Sequence, residues 1–392
     1  MYKKYEISKF IFYIALFLYL LNTYIQCTGF IKYFNTNQIK MICIICIFFC
    51  IIKIIIFDYY YWIMNSAIFL GIIAVTSIAV ISSQLHWYDS FLTVVLLILA
   101  AKDIDFADIC EIVFLSTLFF IITALWGYYS GVIYAPPMEP EARNRAYLGF
   151  VYPGIISIKY IGTVICGIYA SHKKSKKGSN WLLILIFFVF NLYLYIETDT
   201  RLAFMVVNVF LVLYILIYKF KIKIPIISPD WIFLFAVLMV GMSIILPLIY
   251  NSDNSIWQLI NIKLTNTRLA LSNLALKKYK LSLFGQMIYT YNNSEEGYFY
   301  IDSGYLHYIL VYGMLAISLL LFLYCCIYRY SVYKKDWILV IWIILMFLYN
   351  LMNEWIVVLD KCAFAFAIWG YIESKGKSWL TYNTKYKKRM FS

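Results

Sequence analysis

Long apolar runs alternate with short polar or basic turns along almost the whole chain. Runs near 10–28, 41–57, 66–82, 90–101, 110–127, 153–170, 181–197, 202–218, 231–250, 303–324, 337–350 and 361–372 predict about twelve transmembrane helices, because a hydrocarbon core of about 30 Å takes roughly 20 apolar residues in a helix. The fourth and twelfth runs are short for a full crossing. Strands of a membrane barrel would alternate apolar and polar residues, and these runs do not. The pattern therefore predicts an all-α polytopic membrane protein built as one integral membrane domain over 1–392. The first run, Phe10 to Cys27, has no small-residue cleavage site and reads as a retained span. Two polar interruptions are long, 128–152 and 251–302, and the second is expected to form one large extracytoplasmic loop. Within it, Thr265 or Thr267 is placed to cap a helix running to about Lys280, with Leu271, Leu274 and Ala275 on one side. Such a helix suits the membrane surface, its basic residues near lipid phosphates.

Composition agrees with that reading. Hydrophobic residues make up 64% of the chain and charged residues 14%, against about 25% charged in soluble domains. Net charge is +13, and its placement explains it better than nucleic acid does. With the N-terminus inside, inner loops and the tail hold 20 basic residues and outer segments 11, while Lys53 and Lys159 fall within spans. The short turns 172–177 and 219–223 weigh most in this bias. Both termini are expected to be cytoplasmic, in a multi-pass membrane protein. The nine cysteines lie almost wholly within apolar runs. Cys43, Cys46 and Cys50 share a helical face, where cysteine packs as a small hydrophobe.

Against this orientation, Arg143, Arg145, Arg201 and Arg268 fall on the outer face. Positive charge there opposes the usual bias and needs a reason, and a bound anion supplies one. Guanidinium offers paired donors in a planar fork suited to phosphate. Four clusters hold the candidate chemistry. Arg143 and Arg145 run through Tyr152 into the sixth span. Glu197, Asp199 and Arg201 sit in a very short turn. Thr265 to Arg268 precede Leu283 to Gln286, and Asp302 opens the tenth span with His307 beyond it. Asp302 is placed to accept a proton from a sugar hydroxyl. Each residue also has a structural alternative. Arg201 can pair with Glu197 or Asp199, Asp302 can favour a helix N-terminus, and His307 can pack inside the bundle. Arg143 and Arg145 can face lipid headgroups, and Arg268 can serve as an interfacial anchor. Lys159 and Asp360 have no assigned role, and Glu295 and Glu296 are candidates for a cation in the loop.

The order of these clusters resembles the Wzy-type polysaccharide repeat-unit polymerases, related to O-antigen polymerases and ligases. The matching pieces are R-x-x-x-G-F-x-Y-P at 145–153, T-x-T-R at 198–201, T-x-x-R-L at 265–269, L-F-G-Q at 283–286, and D-S-G-Y-L with Y-G between 302 and 313. The resemblance implies a glycosyltransferase that lengthens a glycan by joining polyprenyl (undecaprenyl) pyrophosphate-linked oligosaccharide repeat units at the outer face, for capsule or O-antigen. Arg201, Arg268 and Asp302 would be catalytic, with Arg143, Arg145, Tyr152 and His307 binding substrate. Related ligases have a histidine near the start of the corresponding helix, where this chain has Asp302. Many relatives have His-Pro-Asn where it has Tyr152, Pro153 and Gly154. Implied partners are the bilayer, a flippase and a chain-length regulator, with no metal or cofactor. The alternatives are a lipid-linked oligosaccharide flippase and a polysaccharide ligase.

Overall fold

A computed structural model describes residues 2–83, 91–133, 145–175, 181–222, 227–293, 297–354 and 356–374. The helices are α1 (Tyr2–Cys27), α2 (Thr36–Ile52), α3 (Tyr59–Met64), α4 (Ser66–Ser83), α5 (Phe91–Ala100), α6 (Phe106–Tyr129) and α7 (Pro153–Lys174). They continue as α8 (Trp181–Thr198), α9 (Arg201–Tyr218), α10 (Ile232–Ile249), α11 (Ser255–Leu259), α12 (Arg268–Lys278), α13 (Gly304–Tyr333) and α14 (Trp337–Tyr349). Among the described residues, nine helices are long and apolar enough to cross a membrane, with α5 and α14 as shorter apolar helices. The chain is a helical polytopic membrane protein.

Three of the twelve expected runs form shorter pieces among the described residues. Helix α5 has 10 residues and α14 has 13, so neither covers about 30 Å at 1.5 Å per residue. The run at 361–372 begins as a 3₁₀ turn, Ala363–Ala367, and becomes α-helical only from Ile368. Every residue of α5 is buried except Leu92, and Ala363 to Ala367 are all buried. Protein rather than lipid thus covers the 3₁₀ turn, which is the condition under which irregular backbone survives at membrane depth.

Lipid-facing positions explain the apolar exterior. Helix α7 is the central helix, with Pro153 through Ala170 buried, whereas α4, α8 and α10 expose much of their apolar surface. Pro153 stands in the first turn of α7, where a missing N–H costs nothing. His172, Lys173 and Lys174 occupy its last turn, favourably placed for the helix dipole. Lys173 Nζ lies 2.7 Å from Asp336 Oδ2, and the Tyr169 hydroxyl donates to the same oxygen at 3.0 Å. Asp336 also caps α14 through the N–H of Leu339. These contacts place the N-terminus of α14 beside the C-terminus of α7. The C-terminus of α14 therefore lies at the end of the bundle where α7 begins.

Helix α13 is broken. Gly313 has φ +88° and ψ 162° inside its 30 residues. The segment 282–286 fills the gap: the N–H groups of Met314 and Leu315 donate to the Ser282 and Leu283 carbonyls, and the Gln286 N–H donates to Leu310 and Val311. Backbone groups freed by the break are thus satisfied. Both crossing points are glycines because the two backbones touch. A Cβ on Gly285 would lie 2.1 Å from the Val311 oxygen, and one on Gly313 2.3 Å from the Leu283 oxygen.

Between α10 and α13 the chain carries α11, a π-turn at Ile260–Leu264, α12, and a small antiparallel hairpin, β1 (Tyr291–Asn293) with β2 (Gly297–Phe299). The predicted helix is α12, two residues shorter than expected. Thr267 occupies its N-cap position at φ +67° but makes no side-chain cap. Asn261 Oδ1 accepts from the Ala270 N–H instead, at 3.0 Å. The buried stripe is Leu269, Ser272 and Ala275, while Leu274 is exposed.

Candidate functional site

The sequence candidates gather at the end of the bundle where α7 begins, in two groups. Arg143 lies outside the described residues, as do Glu295 and Glu296. In the first group, the Arg145 guanidinium donates to the Tyr152 hydroxyl at 3.3 Å. Its buried Nε has no hydrogen-bond partner among the described residues. The Ala146 N–H donates to the Glu197 carbonyl at 2.8 Å, tying this loop to the end of α8. Arg201 Nε lies 3.2 Å from Asp199 Oδ1, with the arginine side chain two-thirds exposed. Of the two acidic neighbours, Asp199 is thus its ion-pair partner. The turn holding Asp199 at φ +44° is fixed by hydroxyls: Thr198 donates to Thr200 at 2.9 Å and lies 3.0 Å from Ser157 on α7.

The second group joins three parts of the chain. Arg268 opens α12, Asp302 precedes α13, and Met352 follows α14. Arg268 Nε lies 3.2 Å from Asp302 Oδ1, and its Nη1 donates to the Met352 carbonyl at 2.8 Å. Ser303, not Asp302, is the N-cap residue of α13. Burial raises the Asp302 carboxyl above the usual carboxylate range, and the Arg268 charge opposes that rise. His307, one turn into α13, places Nδ1 3.3 Å from Glu354 Oε2. The Tyr300 hydroxyl donates to the other carboxylate oxygen of Glu354. Burial pushes Glu354 up to about 8, with Lys361 pulling the other way, so it carries a proton at neutral pH. Gly304 closes the assembly, its N–H donating to the Asn350 carbonyl at 2.9 Å.

A third group was absent from the sequence reading as a unit. Lys159 Nζ on α7 lies 2.7 Å from Asp360 Oδ2, and Lys361 Nζ 3.3 Å from Asp360 Oδ1. All three are buried. The backbone carrying Asp360 presses on α7 so closely that a Cβ on Gly162 would lie 1.8 Å from its carbonyl oxygen. Trp342 Nε1 on α14 donates to the Lys361 carbonyl at 2.7 Å. The signal for this group was available: a lysine in one apolar run and an aspartate at the mouth of another imply a partnership, since lone charges are costly in a bilayer. Glu354 gave less signal, as one carboxylate in a polar interruption.

Chemically, the end of the bundle offers guanidinium donors, a carboxyl group whose basicity burial raises, and a protonated carboxyl beside a histidine. That set can neutralise an anion and move a proton to or from a hydroxyl. The chain matches no family model, no curated protein and no solved structure.

Proposed function

We propose that this protein is a membrane glycosyltransferase that polymerises oligosaccharide repeat units carried on polyprenyl pyrophosphate. One observation carries the reading. Arg268, Asp302, His307 and Glu354 come from separate segments and meet at one end of the bundle, at the same end as Arg145 and Arg201. In this reading that end faces outward from a bacterial plasma membrane, both termini are cytoplasmic, and the 251–302 segment is extracytoplasmic. Arg145, Arg201 and Arg268 hold the pyrophosphates and offset charge on the departing group. Asp302 takes the proton of the attacking sugar hydroxyl, and Glu354 with His307 orients the acceptor. Tyr152 supports Arg145. A flippase that delivers units and a regulator of chain length are the proteins it would work beside.

The buried Lys159, Asp360 and Lys361 group supports a second reading, a lipid-linked oligosaccharide flippase, because a translocation path keeps ionisable groups at depth. Sizing the lipid-linked glycans of a gene-deleted strain separates the readings. Single repeat units exposed on the outer leaflet, with no polymer, support the polymerase. Units retained on the inner leaflet support the flippase, and full-length polymer still on lipid supports a ligase. Unchanged glycans refute all three.

A further inference from the structure

The last turns of α10 leave the bundle at the end where the candidate residues gather. Helix α13 starts at that end, and its far part is tied to the chain just before α10. The Tyr328 hydroxyl donates to the Ile227 carbonyl at 2.6 Å, and Arg329 Nη2 lies 3.5 Å from Asp230 Oδ1. Helix α10 therefore runs antiparallel to α13 and ends beside its start. Ile245, Leu248 and Ile249 in its last turns are exposed, as lipid-facing residues of a span are. The chain then turns through a polar stretch, 250–254, and Asn254 caps α11 by accepting from the N–H groups of Ile256 and Trp257. Helix α11 and the π-turn behind it make one helical segment, 255–264. This segment turns its apolar side chains outward. Ile256, Leu259 and Ile262, three residues apart, are 69%, 58% and 61% exposed, while Asn261 is buried. Asn261 faces α12: its carbonyl accepts from the Thr267 N–H at 2.8 Å, and its Oδ1 accepts from the Ala270 N–H at 3.0 Å. Those two N–H groups bracket Arg268. Asn273 on α12 donates to the Pro247 carbonyl at 2.7 Å, tying α12 to the end of α10.

We propose that the segment 255–264 docks on the bilayer surface at this end of the bundle, with Ile256, Leu259 and Ile262 in the headgroup–acyl boundary, and that the docked segment steadies the loop carrying Arg268. Three observations select the bilayer as what covers the stripe. The stripe continues from the lipid-facing end of α10 across one short polar turn. Tyr250 and Trp257 meet edge to face, 6.2 Å between ring centroids, and these are the ring types that gather at a membrane–water interface. Lys263, exposed beside Ile262, is placed for lipid phosphates. Helix α12, for which the sequence suggested this role, buries Leu269, Ser272 and Ala275 against the protein instead. The docking stands without the polymerase reading. Within that reading, it holds Arg268 near the level of a lipid-linked pyrophosphate.

The test places the fluorescent residue acridonylalanine at one position at a time in the full-length protein. The protein is reconstituted in nanodiscs whose phospholipid is brominated near the carbonyl end of one acyl chain. Bromine quenches only at short range, so lost emission reports contact with the acyl boundary. Ile245, exposed near the end of α10, is the lipid-facing reference, and Asp253, exposed in the polar turn, is the aqueous one. Probes replacing Ile256, Leu259 and Ile262 should lose emission about twofold or more, as the probe replacing Ile245 does, while the probe replacing Asp253 keeps its emission and is quenched by soluble iodide instead. Stripe probes quenched by iodide and not by bromolipid overturn the proposal, because the segment then stands in water. Stripe probes shielded from both also overturn it, because protein then covers them. Changing Ile256, Leu259 and Ile262 together to Ser should speed amide exchange over 265–271 by about fivefold or more in nanodiscs, and unchanged exchange overturns the link to Arg268. The quenching profile of the otherwise unaltered protein decides the docking even where the triple variant does not fold. None of these readouts needs glycan synthesis, so the polymerase reading stands or falls separately.

Discussion

Replacing Arg268 with Met and Asp302 with Asn, singly and together, measures the contact that holds α12 to the start of α13. At 3.2 Å, two unit charges attract by about 5 kcal/mol with an effective dielectric constant of about 20. The side chains are 31% and 20% exposed, so solvent screening and lost hydration remove much of this. About 1.5–3 kcal/mol should remain, the usual worth of a charge-assisted hydrogen bond. Arg268→Met also costs the bond to the Met352 carbonyl and strands a half-buried carboxylate. Each single variant should lose roughly 2–3 kcal/mol, and the double variant should lose less than their sum by about 1.5–3 kcal/mol. Reversible unfolding of the purified protein in mixed micelles, titrated with sodium dodecyl sulfate, supplies the four free energies. The pH dependence supplies a second readout. Burial raises Asp302 above its unfolded value, so the folded state binds its proton more tightly. The stability gained from that proton is fully present below the unfolded value and lost as pH rises through the folded one. Removing Arg268 takes away the force that opposes the rise. Arg268→Met should therefore gain more stability on acidification than the parent does. Losses that add to within about 0.5 kcal/mol, with no change in pH slope, would refute the coupling.

Glu354 should make stability fall as pH rises from about 4.5 towards about 8. Glu354→Gln should flatten that slope in thermal melts across the same window, and an unchanged slope would show that Glu354 ionises normally. Ala at Gly285 or Gly313 should cost about 1–3 kcal/mol or more, since each φ is positive and each new Cβ strikes a backbone oxygen. Gly71→Ala, with nothing within 4 Å, should be neutral or stabilising by up to about 1 kcal/mol, and equal losses at all three sites would discredit the crossing. Asp360→Asn should destabilise by about 3–5 kcal/mol in the same unfolding titration, because it strands two buried ammonium groups, whereas Lys159→Met should cost about 1.5–3 kcal/mol because Lys361 still faces Asp360, and equal losses would refute the sharing. In the deleted strain, Arg201→Lys should not restore polymer if a planar fork is required, and full restoration would remove the bidentate role.

The chain's own pattern determined that it is a helical membrane protein, because the cost of unsatisfied backbone groups in hydrocarbon leaves few alternatives to long apolar helices. It also marked Arg145, Arg201, Arg268 and Asp302, since charge beside an apolar run is conspicuous in one dimension. What hydropathy could not separate was lipid from protein as the solvent of an apolar segment. The runs at 90–101, 337–350 and 361–372 read as spans, and their described residues form the short, largely buried pieces Phe91–Ala100, Trp337–Tyr349 and Ala363–Ala367. Partner choice was likewise a tertiary matter. Asp302 looked like a helix-terminus charge, and only the approach of α12 gave it Arg268. Thr267 looked like a cap, and the preceding π-turn brought Asn261 to the place instead. Lys159 and Asp360, 201 positions apart in sequence, meet because Gly162 lets the loop after α14 lie against α7. Such contacts depend on distances of a few ångströms between segments remote in the chain, and no local period in the sequence encodes them.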